Sequence, residues 1–189
     1  MENTVSTFVL IIATLLIGVI AVGIAAVYAS NQYNVSTIQN QAESISNGLY
    51  ISVGKMVNIP NSPNSTVFIT LKDFNYQGQL YFTSFYVKNY LENSSSEITP
   101  QFAYMKGSNI LYPEVQVGNQ FPPSITSSTL YYTNLNVLYQ GTITLWETTP
   151  LSAPVDIALT ISPPPSYSAI VLFFAHIQNK YVEVGYVWL

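Results

Sequence analysis

The sequence predicts an α+β chain: a long hydrophobic N-terminal α-helix followed by an antiparallel β-sandwich head of immunoglobulin-like type. Three observations predict it. Residues 8–29 carry no charge and are nearly all apolar. No proline occurs before Pro60. Beyond residue 54, short β-prone segments alternate with turn signals. The expected organisation is a helix over residues 1–53 and a β head over residues 54–189.

The apolar run spans roughly 33 Å at about 1.5 Å per residue, close to a hydrocarbon core of about 30 Å. Within it Thr14, Gly18, Ala21, Ala25 and Ala29 recur three or four residues apart. Such a small-residue stripe lets helix backbones approach closely in an apolar medium. Together with Glu2 and Phe8, these residues are the candidates for helix packing and polymerisation.

Past Ala29 the sequence turns polar without losing helical character. Tyr28, Val35, Ala42 and Leu49 recur every seven residues, with Asn31, Ile38, Ile45 and Ser52 as a companion row. The expected helix runs to a point between Asn47 and Gly54, with Asn47-Gly48 as a stop signal. Val35, Ile38, Ala42, Ile45 and Leu49 are the candidates for packing this half onto the head.

The segment does not read as a cleaved secretory signal. Its apolar run is longer than the usual 7–15 or so residues, and no Lys or Arg precedes it. A membrane anchor ordinarily has basic residues on its cytoplasmic side. Their absence is explained if a basic leader has been removed and Met1 is a mature N-terminus.

The head segments are expected as strands at 66–72, 79–88, 101–106, 110–117, 129–138, 142–147, 155–162, 168–178 and 181–189. They are rich in Val, Ile, Thr, Tyr and Phe, and residues 155–161 alternate with period two. Gln178-Asn179-Lys180 reads as a tight hairpin link.

The composition excludes several functions. Charged residues are only 7% of the chain, against about 25% in an ordinary soluble domain. Five Lys and no Arg, without a basic run, leave no nucleic-acid surface. With no Cys there is neither a disulfide frame nor a thiolate metal site. So few titratable groups imply a stability that depends weakly on pH, suited to a harsh or acidic exterior.

No enzyme is legible. The one histidine, His176, lies in an apolar segment and reads as structural. Gly-x-Ser-x-Gly, a phosphate loop and a metal-ligand cluster are absent from the sequence. The carboxylates Asp73, Glu97, Glu114, Glu147 and Asp156 are scattered. The 15 Tyr and nine Phe are read as filling a β core rather than a sugar-binding face. No catalytic, cofactor or metal residue is assigned. Possible N-linked glycans are the one addition, at the sequons beginning at Asn34, Asn64 and Asn93.

An uncharged helix running into an amphipathic half and then an all-β head resembles the archaeal members of the type IV pilin superfamily, adhesive pilins and archaellins. The likeness covers the whole architecture, with motif-level similarity in about residues 1–50. It implies a precursor with a basic leader, cut by a dedicated membrane peptidase. It implies storage as a single-pass membrane protein, extraction by an assembly machinery, and self-association into an extracellular helical homopolymer on the cell surface. Bacterial relatives use a Glu near the mature N-terminus, for which Glu2 is the candidate. The Ser/Thr/Tyr-rich head favours an adhesive pilus over a motility filament. The rival expectation is a membrane-anchored binding ectodomain that never polymerises.

Overall fold

The computed structural model describes residues 2–58, 65–88, 105–106, 109–110, 114–117, 124–161 and 167–189. Two compact units divide at Ile38: Met1–Ile38 and Gln39–Leu189.

The first unit is the N-terminal part of one helix, α1, which spans Glu2–Gly48. The apolar stretch has no Pro, and its Leu, Ile and Ala content favours helix. Two hydroxyls that would otherwise seek partners turn back onto their own helix. The Thr14 hydroxyl donates to the Leu10 and Ile11 carbonyls, and the Thr37 hydroxyl to the Tyr33 carbonyl at 2.8 Å.

The last ten residues of α1 belong to the second unit. Here Ala42 and Ile45 are buried. The end of α1 falls at Gly48, and its final carbonyls are taken up by the chain that follows the third strand. The Phe74 N–H donates to the Gly48 carbonyl at 3.1 Å, and the Asn75 side-chain amide to the Ser44 carbonyl at 2.9 Å. One Asp73 carboxylate oxygen accepts from the Asn75 and Tyr76 N–H groups at 2.7 and 2.9 Å, fixing that turn. A side chain at Gly48 would crowd this junction. A Cβ there would stand 2.5 Å from that Asp73 oxygen and 2.9 Å from the Asn75 Cβ.

Twelve strands follow among the described residues: β1 Leu49–Val53, β2 Val57–Asn58, β3 Ser65–Asp73, β4 Tyr81–Lys88, β5 Met105–Lys106, β6 Asn109–Ile110, β7 Glu114–Val117, β8 Ser124–Tyr131, β9 Val137–Glu147, β10 Val155–Ile161, β11 Tyr167–Ile177 and β12 Lys180–Trp188. One sheet runs in the order β1-β3-β10-β7, with β2 also on β3. A second closes into a barrel in the order β11-β12-β8-β9-β4, and β5 and β6 form a small separate pair. Pairing is antiparallel throughout, except that β12 and β8 run parallel.

The open sheet follows the period-two pattern. In β10, Val155, Ile157, Leu159 and Ile161 are buried, while Asp156 faces out and accepts from the Thr70 hydroxyl at 2.7 Å across the β3 ladder. β11 is different: Ala169 to Ala175 is one unbroken buried run. Ile170, Leu172 and Phe174 join Leu130, Leu138, Ile143 and Leu145 in one cluster. Phe173 stands on the other face with its ladder partners Phe82 and Gly185. Gly185 abuts β1, since a Cβ there would lie 3.1 Å from Leu49 and 3.3 Å from Ile51. A strand buried on both faces reads as a continuous apolar run rather than an alternating one.

Three expectations are corrected. Residues 49–53 are a strand, not the end of the helix, so Leu49 packs from β1. The expected strand at 129–138 is two strands and a turn. Tyr132 and Asn136 close that turn, and Leu135 takes a φ of 63°. Val35 does not share the burial of Ile38, Ala42 and Ile45; it is exposed. The hairpin at Gln178-Asn179 forms as read. Both residues have positive φ, 45° and 65°, as a two-residue turn between twisted strands requires.

Candidate functional site

The surface with the strongest physical demand for a partner is the apolar part of α1. From Val5 to Val27 the large hydrophobic side chains are all exposed, from Ile12 at 42% to Val19 and Val22 at 70%. The helix is long and apolar enough, by length and composition, to cross a membrane. A soluble monomer does not leave such an area wet.

The small residues are arranged on one side. At about 100° per residue, Thr14, Gly18, Ala21, Ala25 and Ala29 fall within a sector of about 80°. A Cβ on Gly18 would meet nothing within 4 Å. Among the described residues, nothing fills the stripe at Gly18. A shallow groove lies elsewhere on the same helix, floored at Gly23 and walled by Ile20, Ile24, Val27, Tyr28 and Asn31. The heptad reading did not pick out Gly23, although its lack of a side chain was visible. Phe8 lies off the stripe, 64% exposed, and Glu2 is the first residue of α1. Asn34 is exposed on α1, as glycan attachment needs. Asn64 and Asn93 lie outside the described residues.

Within the head, titratable groups are engaged one by one. Asp73 caps its turn, Asp156 holds Thr70, and Glu147 accepts from the Tyr81 phenol at 3.2 Å. Burial and the neighbouring Glu147 push the Tyr81 phenol up to about 12, and burial followed by Glu147 also raises Tyr181. His176 is exposed rather than enclosed. Its ring stacks on Tyr181 at 4.7 Å and meets the edge of Tyr81 at 6.1 Å. Among the described residues no group of three potential metal ligands converges. Glu97 lies outside them.

One residue was missed. Glu183 in β12 is largely buried, and that burial raises its carboxyl to about 7. Burial disfavours the charged carboxylate, and among the described residues no ion pair offsets that. The aromatics divide: Phe82, Phe173 and Phe174 are core, while Tyr50, Phe68, Phe74 and Tyr186 are exposed. No protein-family model, no curated protein and no solved structure matches the chain.

Proposed function

We propose that this chain is the structural subunit of an extracellular type IV pilus-like filament of an archaeal cell surface, polymerising through α1, with adhesion as its role. The membrane holds the subunit before assembly, and the helix bundle of the filament receives it afterwards.

The exposed apolar length of α1 carries this reading. Its side chains present on the order of 1,000 Å² of apolar surface, worth about 25 kcal/mol as an upper bound if removed from water. A bilayer satisfies that demand, and so does a bundle of like helices. The small-residue stripe, open at Gly18 among the described residues, favours the bundle, because a lipid neighbour gains nothing from close backbone approach. A head-to-tail contact between identical chains propagates into a helical polymer.

Electron microscopy of native surface material tests the proposal. The expected outcome is helical filaments containing this chain. Recovery only from detergent-soluble membrane, with no filament, favours the anchored ectodomain and overturns the polymer.

A further inference from the structure

The head carries a second feature that polymerisation does not use. A cleft of about 370 Å³ lies where the last turns of α1 meet the β3–β4 turn and the β11–β12 hairpin. Gln41, Ser44, Asn75, Tyr76, His176 and Gln178 line it, over a floor of Ile45 and Ile177. That volume lies within the range of roughly 300–1,000 Å³ of small-molecule sites.

No charged side chain lines the cleft. Glu43, beside Ser44 in sequence, is exposed and is not part of the lining, and Asp73, two residues before Asn75, directs one oxygen at two backbone N–H groups and is itself buried. The hairpin's Lys180 lies over the Tyr131 ring at 4.3 Å, and Lys72 over Phe74 at 4.6 Å. An anion would therefore find no cation in the lining.

What the lining offers is neutral hydrogen bonding. Among the described residues, the side chains of Gln41, Ser44, Gln178 and His176 carry no hydrogen bond within the chain. Asn75 uses its amide nitrogen on Ser44 and keeps its carbonyl oxygen. Each amide both donates and accepts, as hydroxyl groups require of a partner. The buried Ile45 and Ile177 supply an apolar floor, and His176 is held in place by its stack on Tyr181. Paired donors and acceptors above an apolar floor match a polyhydroxylated ring with its C–H face down.

We infer that this cleft binds a neutral saccharide. The inference stands on the head alone and does not depend on polymerisation.

Saturation-transfer NMR on the full chain tests it, in a zwitterionic detergent whose headgroup is not a sugar. The probes are glucose, galactose, mannose and N-acetylglucosamine, with sialic acid and glucuronic acid as charged controls. Saturable transfer from a neutral sugar in the millimolar range is expected. Gln41→Ala and Gln178→Gly should each weaken it by roughly threefold to tenfold, for the loss of one or two hydrogen bonds. Glycine is chosen at 178 because φ there is 45°, a conformation that glycine adopts without penalty. His176→Phe keeps the stack on Tyr181 and should weaken binding by removing the ring nitrogens. An unchanged circular dichroism spectrum certifies each variant's fold. Absence of transfer from every neutral sugar, stronger binding of the acidic sugars, or unaltered affinity in all three folded variants would each overturn the inference.

Discussion

Glu183 stands opposite Phe174 in the β11–β12 ladder, at the step where the register slips and Val184 has no partner across the strand. Its carboxyl is raised from an ordinary 4.5 to about 7 by burial. A raised acid binds its proton more tightly in the folded state than in the unfolded one. Stability is then fully present below about pH 4.5 and is lost as pH rises through about 7. The loss has a ceiling of about 3–4 kcal/mol, at about 1.4 kcal/mol per pKa unit. Denaturant titration of the full chain in detergent at pH 4 and pH 8 should find the chain more stable in acid. Glu183→Gln should remove most of the difference. The sparse charge of the sequence implies a weak pH dependence, and a single buried carboxyl would supply most of whatever dependence is found.

Gly18→Leu and Ala25→Leu bear on assembly. A Cβ on Gly18 touches nothing within the chain, so a larger side chain costs the monomer nothing. Between close-packed helices it forces the backbones apart, and filament yield should fall by roughly tenfold or more. The melting temperature of the head should not move. Normal filament yield from both variants would sink close helix packing.

Gly48→Ala tests the joint between helix and head. The added methyl would overlap Asp73 and Asn75, and the β3–β4 turn must yield. We expect a loss of about 1–3 kcal/mol in chemical denaturation. A neutral result would mean that the turn is softer than its four backbone and side-chain hydrogen bonds suggest.

Asn179→Gly should act in the opposite direction. Asn179 holds a φ of 65° in a two-residue hairpin turn. Glycine takes that conformation without penalty, so stability should be unchanged or gain a few tenths of a kcal/mol. Asn179→Val should lose about 1 kcal/mol or more at the same position.

Intact-mass spectrometry of native material checks the glycans. A mass above the bare 20.9 kDa chain is expected, and Asn34→Gln should lower it by one glycan. A mass equal to the unmodified chain would dispose of all three sequons.

The parts of the fold that were legible share a local cause. Charge-free length and the absence of Pro mark α1, and alternation marks β10. What stayed hidden depends on neighbours distant in sequence. Leu49–Val53 continues the heptad spacing of α1, yet pairing with β3 makes it a strand. Thr133-Asn134-Leu135-Asn136 held a turn signal in its two asparagines, obscured by the apolar residues around it. Barrel closure and the parallel β12–β8 contact leave no mark on alternation. Glu183 is the sharpest case, because a lone acid in a β-prone run looks like a solvent-facing residue until its burial is known. The stripe on α1 was legible residue by residue. The cleft was not, because α1, the β3–β4 turn and the β11–β12 hairpin each supply only part of it.

Gly48 ends α1 and Leu49 begins β1, with no residue between them. Three hydrogen bonds join the last turns of the helix to the strands that follow: Gln39 to the Asn134 carbonyl at 3.1 Å, Asn75 to the Ser44 carbonyl at 2.9 Å and the Phe74 N–H to the Gly48 carbonyl at 3.1 Å. A pull on the helix therefore meets no slack. Tension passes from the last helical turn directly into β1 and is shared across the β1–β3 ladder, where five residue pairs take it up together. A load on these last turns is therefore carried as shear along paired strands rather than as the stretching of a linker.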